Sequence, residues 1–355
     1  MSRRPTARPD SRRSGRPRRT LLAGLVAAAV VFPVSAAASP RIPAPAPAVL
    51  AETASFPDRY AANLANLSEA AGMAQDAGRS GRAAKLRAME ADGGARFLVF
   101  DGRGTGRATE VFGDLESADR ITVLVPGSDT TLDTYQRFRT GAVALQQRLQ
   151  AEHPRSAVVA WLGYDTPGTV SPSVLTTDRA DEAAAELEPF LARLERITVA
   201  DARLSLLCHS YGSVVCSRTG TGPKVTDVAL FGSPGTGADS AGDLPTRARV
   251  WAGRGAGDWI ANVPHVRVAG IGFGVDPVDP AFGALPFTAG SGGHSDYLKP
   301  GTESLDGLAG IVLGTSPAAR PAPATAPVTA HVTAPATAHV TPSAVTAPEA
   351  SHALA

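Results

Sequence analysis

The chain has 355 residues, with 34 Lys and Arg against 33 Asp and Glu and a formal net charge of +1. Eight of the arginines but a single acid, Asp10, fall in residues 1–38, so the remainder carries 26 basic and 32 acidic side chains, a net of −6. A mildly acidic body gives no electrostatic reason to bind nucleic acid, and two cysteines are too few for a disulfide framework.

The arginine-rich start is followed by an apolar run over residues 21–34 and then by small residues. That order is the pattern of a secretory signal, with cleavage expected after Val34-Ser35-Ala36 or Ala36-Ala37-Ala38. Arg18-Arg19-Thr20-Leu21-Leu22 also resembles a twin-arginine signal, although Pro17 stands where Ser or Thr is commoner. The run is short for a bilayer span, so an uncleaved anchor is the lesser alternative. Residues 39–56 are Pro/Ala-rich and expected to be a linker. From 315 to 355 the chain is rich in Pro, Ala and Thr and repeats itself ("TAHVTAPATAHVT"). Such a composition cannot bury enough apolar surface to order itself, so a disordered tail is expected, with possible contact to the cell envelope. His331, His339 and His352 are spaced singly there and define no metal geometry. Residues 57–314 then suit one α/β domain.

Within that domain, residues 57–89 have apolar positions at helical spacing and a break near "AGRSG", which predicts one helix and a second, shorter one. "RFLVFD" (96–101) and "RATEVFG" (107–113) read as two strands. The glycines of "GRGTG" between them do not form a dinucleotide loop, because a strand rather than a helix follows; they form a hairpin turn. Further on, the apolar runs "RITVLVPG", "SAVVAWLGYD", "RLSLLCHS", "VTDVALFGSPG" and "RARVWAGRGAGDW" are expected as strands. Helices are expected over 134–152, over 180–197 with Leu187, Phe190, Leu191 and Leu194 on one face, and from Tyr211 onward. Continuous apolar strands alternating with helices indicate an α/β fold with a mostly parallel sheet covered on both faces, the first two strands forming an antiparallel hairpin at one edge.

Reactive groups in such a sheet gather at the carboxyl ends of the strands. Ser210 stands there, in "LLCHSYGS", between a strand and a helix. The surrounding pattern is G-x-S-x-G with Cys208 in place of the first glycine; taken alone, such a serine is as well explained as a helix cap. A nucleophilic hydroxyl requires a base and the base an orienting acid. His294, in the glycine-rich "GSGGHSDYL", is preferred as base over His265 in "NVPHVRV". Asp258, in the loop after the strand holding Trp251, is preferred as acid over Asp239 and Asp243. Oxyanion donors are expected from the amides of Tyr211 and Ser128, with Gly127 allowing close approach. His209 is expected to be a pocket or packing residue on the other side of the strand, and Tyr164 and Asp165 to line the pocket or form a turn. No cofactor or metal is called for.

"VLVPGSDTTLDTY", "VAWLGYDTP", "CHSYGSVV", "LFGSPG", "GFGVDP", "GGHSDYL" and "LAGIVLG" together resemble an actinobacterial α/β-hydrolase family long labelled only as a domain of unknown function. The resemblance runs from about residue 60 to 314 and implies an α/β-hydrolase fold with Ser210, Asp258 and His294 as its triad; it supplies no substrate. Only residues 232–247 separate two successive strands after the serine, too few for a large cap domain. An open site is therefore expected, shaped by residues 163–178 and the N-terminal helices, and suited to small-molecule or lipid esters. An amidase or peptidase with the same triad, or an inactive envelope-binding relative, are the alternatives. For Cys208 and Cys216, a disulfide tying strand to helix and a pair of buried free thiols are both open.

Overall fold

A computed structural model describes residues 42–91, 94–268 and 270–316. The expected signal segment (1–38), most of the tail and its three histidines lie outside the described residues. Residues 42–55, in the stretch expected to be a linker, have no regular structure yet are held against the first helix: the Asn66 amide donates to the Ala46 carbonyl, and the Arg59 guanidinium to the carbonyls of Ala51, Glu52 and Ala54.

The two N-terminal helices are α1 (Phe56–Asp76), whose Ser55 cap accepts from the Asp58 amide, and α2 (Ser80–Ala91). The edge hairpin follows as β1 (Phe97–Asp101) and β2 (Arg107–Gly113). Then come β3 (Arg120–Val125), α3 (Tyr135–Gln150), β4 (Ser156–Leu162), α4 (Asp178–Ile197), β5 (Arg203–His209), the six-residue α5 (Tyr211–Cys216), β6 (Val225–Phe231) and β7 (Arg249–Gly253). A two-residue strand β8 (Leu285–Pro286) and α6 (Glu303–Leu313) complete the domain. The sheet has eight strands in the order β1-β2-β4-β3-β5-β6-β7-β8, antiparallel between β1, β2 and β4 and parallel elsewhere. Too short to give a periodic signal, β8 is the strand the sequence does not announce.

Alternation of side chains along each strand divides the core. On one face Val123 and Val125 of β3 and Leu204, Leu206 and Cys208 of β5 meet α4 and α5. On the other, Leu124, Leu207, Phe231 and Trp251 meet α3 and α6. The N-terminal helices form a third cluster with β1 and β2 through Leu67, Leu86, Phe97 and Phe100. They therefore cover the outer hairpin, whereas the sequence suggests that they shape the site; Asp258 and Trp259, from the loop after β7, stand against His294 instead. Residues 232–248 hold only one short 3-10 turn (Ala241–Asp243), so no large cap interrupts the sheet.

Cys208 and Cys216 are disulfide-bonded, with their Cα atoms 6.4 Å apart. The bond joins the end of β5 to the end of α5 on the α4/α5 face. Replacing both cysteines with alanine is expected to lower unfolding stability by about 2.5 kcal/mol, the loop-closure value for so short a loop; urea denaturation of the two proteins measures it.

Candidate active site

Ser210 occupies the sharp turn between β5 and α5. Its backbone sits at φ 52 and ψ −125, and with Asp129 it is one of two non-glycine residues at positive φ among the described residues. The turn is anchored by the Ser210 amide donating to the Phe231 carbonyl at 3.0 Å and by the Ser213 amide donating to the Ser210 carbonyl at 2.9 Å. Backbone crowds it from the side of β3. A Cβ on Gly127 would lie 2.6 Å from the Ser210 Cβ, and one on Gly212 2.6 Å from the Pro126 carbonyl oxygen. Gly212 is thus required by the end of β3 and the loop after it, and not by β5.

Three side chains from separate elements meet at this turn. The Ser210 hydroxyl donates to His294 Nε2 at 2.9 Å. His294 Nδ1 lies 2.9 and 3.0 Å from the two oxygens of Asp258. A carboxylate only accepts, so the proton belongs on Nδ1 and Nε2 is left with its lone pair toward the serine. Asp258 is buried at the end of the β7 loop, where it also caps a 3-10 turn (Trp259–Asn262) by accepting from the Ile260 amide. Burial alone would raise its pKa, but hydrogen bonds from His294, Tyr297 and the Ile260 amide outweigh it and hold the carboxyl below the usual carboxylate range. Gly232, at φ 58, passes so close that a Cβ there would sit 3.0 Å from Asp258 Oδ2.

Two further residues hold this set in place. The buried Tyr297 hydroxyl donates to Asp258 Oδ2 at 2.5 Å and accepts from the Gly255 amide at 3.1 Å, fixing the acid to its own loop. Tyr297 was legible only as the third residue after His294 in "HSDY". The ring of His209 packs against Phe231, His294 and Tyr297, and its Nε2–H donates to the His294 carbonyl at 2.8 Å. The residue before the serine therefore holds the backbone of the base. The enclosure of this ring, with His294 beside it, pulls the His209 pKa down to about 4.

The other candidates fall as follows. Ser128 is part-buried in the loop that abuts Ser210, and its amide has no acceptor among the described residues, whereas the next amide, Asp129, donates to the Pro167 carbonyl at 3.0 Å. The Tyr211 amide, first in α5, has no helical acceptor by position. Tyr164 does not line a pocket: it is buried, and its hydroxyl donates to the Pro126 carbonyl at 2.7 Å, bracing the loop that carries Gly127. Asp165 is turned away to accept from the Thr105 hydroxyl and to face Arg107. His265 lies 3.3 Å from Asp276, Asp239 pairs with Arg267, and Asp243 accepts from the Ser240 hydroxyl; none of the three joins the serine. No cluster of three or more His, Cys, Asp or Glu side chains able to hold a metal occurs among the described residues.

A family profile described as "Alpha/beta hydrolase" matches residues 101–268, which include Ser210 and Asp258 and stop before His294. Two uncharacterized proteins of Mycobacterium tuberculosis are 27% identical over 256 residues, covering 59% of this chain and 37% of theirs. An uncharacterized protein of Mycobacterium bovis is 33% identical over 143 residues, 37% of this chain and 53% of its own. The chain thus spans between about a third and about half of the length of these relatives. Among solved structures, a Xanthomonas campestris protein titled as an a/b serine hydrolase without lid aligns with a TM-score of 0.38 at 14% identity, over 59% of this chain and 88% of that one. The esterase LipW of Mycobacterium marinum aligns with a TM-score of 0.40 at 14% identity, over 69% and 88%.

Two outcomes are expected at the supporting residues. His209→Phe keeps an aromatic ring but loses the donor, and should lower kcat by about tenfold, the value of one hydrogen bond; His209→Gln, which returns a donor, should recover part of it. The pH dependence carries a sign. Between about 4 and the ordinary histidine value near 6.5 the unfolded chain binds a proton at this residue that the folded one does not. Its contribution to stability is therefore complete above that window and lost as pH falls through it. Denaturant titrations at pH 7, 6, 5 and 4 should show a shallower decline in His209→Phe than in the parent. Tyr297→Phe should raise the Asp258 pKa and lower kcat by about tenfold with little change in KM, as read from the acid limb of the pH–rate profile.

Proposed function

We propose that this chain belongs to the α/β-hydrolase family, whose profile matches residues 101–268, and is an exported serine hydrolase that cleaves carboxylic esters through an acyl-enzyme. The observation that carries the reading is the unbroken line from the Ser210 hydroxyl to His294 and on to Asp258, at 2.9 Å for each link. In this reading the Ser210 oxygen attacks the ester carbonyl while His294 Nε2 takes its proton, and the imidazolium that forms faces an ionised Asp258. The amides of Ser128 and Tyr211 are the donors assigned to the developing oxyanion. His294 returns the proton to the departing alcohol, a water takes the alcohol's place, and the same base activates it to release the acid and free the serine.

Export is supported by the arginine-rich, then apolar, N-terminal sequence and by the disulfide, which suits an oxidising compartment. An inactive binding protein would need no such alignment of base and serine. An amidase would use the same residues and is separated by substrate.

A fluorophosphonate probe is expected to label the protein at Ser210. Ser210→Ala should abolish labelling, and Ser210→Ala, His294→Ala and Asp258→Asn should each lower ester turnover by about 10⁴-fold or more. Undiminished labelling of both Ser210→Ala and His294→Ala overturns the proposal. A p-nitrophenyl ester should be hydrolysed at least about 10²-fold faster than the matching anilide; the reverse order favours the amidase.

A further inference from the structure

Eight large apolar side chains are exposed among the described residues, and six of them sit on loops at the carboxyl edge of the sheet: Val170, Leu175, Trp259, Val266, Val268 and Ile271. Single exposed apolar residues are ordinary, but their concentration in one region calls for a partner. These loops are built against the serine turn. Leu175 belongs to the loop after β4, and Val266, Val268 and Ile271 to the segment after β7, where Val268 and Ile271 form an isolated antiparallel bridge. The Gly272 amide donates to the Leu175 carbonyl at 2.9 Å and joins the two segments. Both rest on Tyr211, the residue after Ser210: its hydroxyl donates to the Thr176 carbonyl at 2.8 Å, and its ring meets Phe273 edge-on at 5.8 Å. On the other side Trp259, next in sequence to Asp258 and 49% exposed, has its ring centre 4.7 Å from that of His294.

Charge is sparse on the two loops themselves, although Asp129 reaches the first of them through Thr169, and Asp178 and Arg179, which follow it, are engaged by Thr176 and Glu182. In residues 163–177 the one charged side chain is Asp165, which faces Arg107. In the described residues of 259–275 it is Arg267, which is drawn back to the Gly237 carbonyl and Asp239. His265 is turned to Asp276. No free charge is left on either loop to receive an ionic head group or a charged peptide.

We propose that the rim formed by Trp259, Leu175, Val266, Val268 and Ile271 binds an unbranched hydrocarbon chain of the ester, so that the substrate class is a lipid-type, long-chain ester. The proposal rests on the serine-hydrolase reading for the chemistry, but the chain site is a binding surface of its own. Trp259 forms the wall nearest the reacting centre, and Val266, Val268 and Ile271 carry the chain outward.

The test compares p-nitrophenyl octanoate, kept below its micellar concentration, with p-nitrophenyl acetate. The octanoate-to-acetate ratio of kcat/KM should fall about tenfold, the weight of roughly two buried methylene groups, in Trp259→Ala and in Val268→Ser/Ile271→Ser. Val99→Ser, which removes an exposed apolar side chain from β1, should leave the ratio as in the parent. A second measurement needs no turnover. Trp161 and Trp251 are 2% and 1% exposed, so in Ser210→Ala a blue shift of tryptophan emission on adding monomeric 1-decanol reports Trp259. The shift should saturate, and should weaken at least about tenfold in apparent affinity when Val268 and Ile271 are both serine. An unchanged ratio together with an absent shift overturns the chain site while fluorophosphonate labelling keeps the hydrolase reading. A saturable shift without labelling of Ser210 does the opposite. An unchanged ratio with a dimer that Val268→Ser/Ile271→Ser converts to a monomer assigns the patch to self-association and also overturns it.

Discussion

Ser210 at φ 52 and ψ −125 occupies a backbone conformation that costs an L-residue on the order of 1–3 kcal/mol. It persists because three sets of contacts leave no room for an alternative. The serine amide is bonded to the end of β6, its carbonyl receives both the amide and the hydroxyl of Ser213, and the loop after β3 presses against it through Gly127 and Gly212. The strain aims the hydroxyl out of the sheet edge toward His294, and the first amide of α5 is left free on the same turn. A relaxed serine at this point would serve as a helix cap and point nowhere useful.

The acid and base arrive from far along the chain, and their registration with the serine is a separate problem. It is solved by residues that belong to one partner and bind another. His209, in β5, holds the carbonyl of His294; Tyr297, in the histidine's loop, holds the carboxylate of Asp258; and Asp258 also caps the turn that presents Trp259 against the imidazole. These bonds keep Asp258 ionised despite its burial, which is the condition for stabilising an imidazolium. A single dense cluster on the α3/α6 face, with Phe231 and Tyr297 at its upper end, thereby sets the geometry of all three side chains.

How much of this the sequence discloses depends on whether the deciding physics is local. The alternation of apolar strands and helices is a periodic signal, and the parallel sheet with its edge hairpin follows from it. Ser210, His294 and Asp258 could be nominated because chain order and loop position in such a sheet are constrained by topology. For Tyr164 and Asp165 the sequence leaves pocket and turn both open because both follow a strand end, and residue type there does not say whether a side chain turns toward the cleft, under the loop or outward to Arg107. Tyr297 and Trp259 were passed over for the converse reason: their partners are 39 and 35 residues away, across contacts that no spacing encodes. The N-terminal helices show the same limit at larger scale, since their apolar stripes specify that they pack but not against which edge.

The cysteine at the first elbow position belongs to the same constraint as the strained serine. With six residues, α5 is far below the length at which a helix sustains itself in water, and it must be held by its surroundings. Ser213, Ser217 and Thr219 turn their hydroxyls back onto the carbonyls of Ser210, Ser213 and Val215, and Ser213 also reaches Ser233 on the β6 loop. Such back-bonds satisfy the carbonyls of a short helix but do little to fix it to the sheet. Cys208 alternates onto the α4/α5 face, as Leu206 and Leu204 do, and from there its sulfur meets Cys216 at the far end of α5. A glycine at 208 would leave that end tethered only by packing. With the disulfide in place, strand, serine turn and helix form one closed loop, so that relaxation of the expensive conformation at Ser210 is opposed by a covalent constraint on both sides of it.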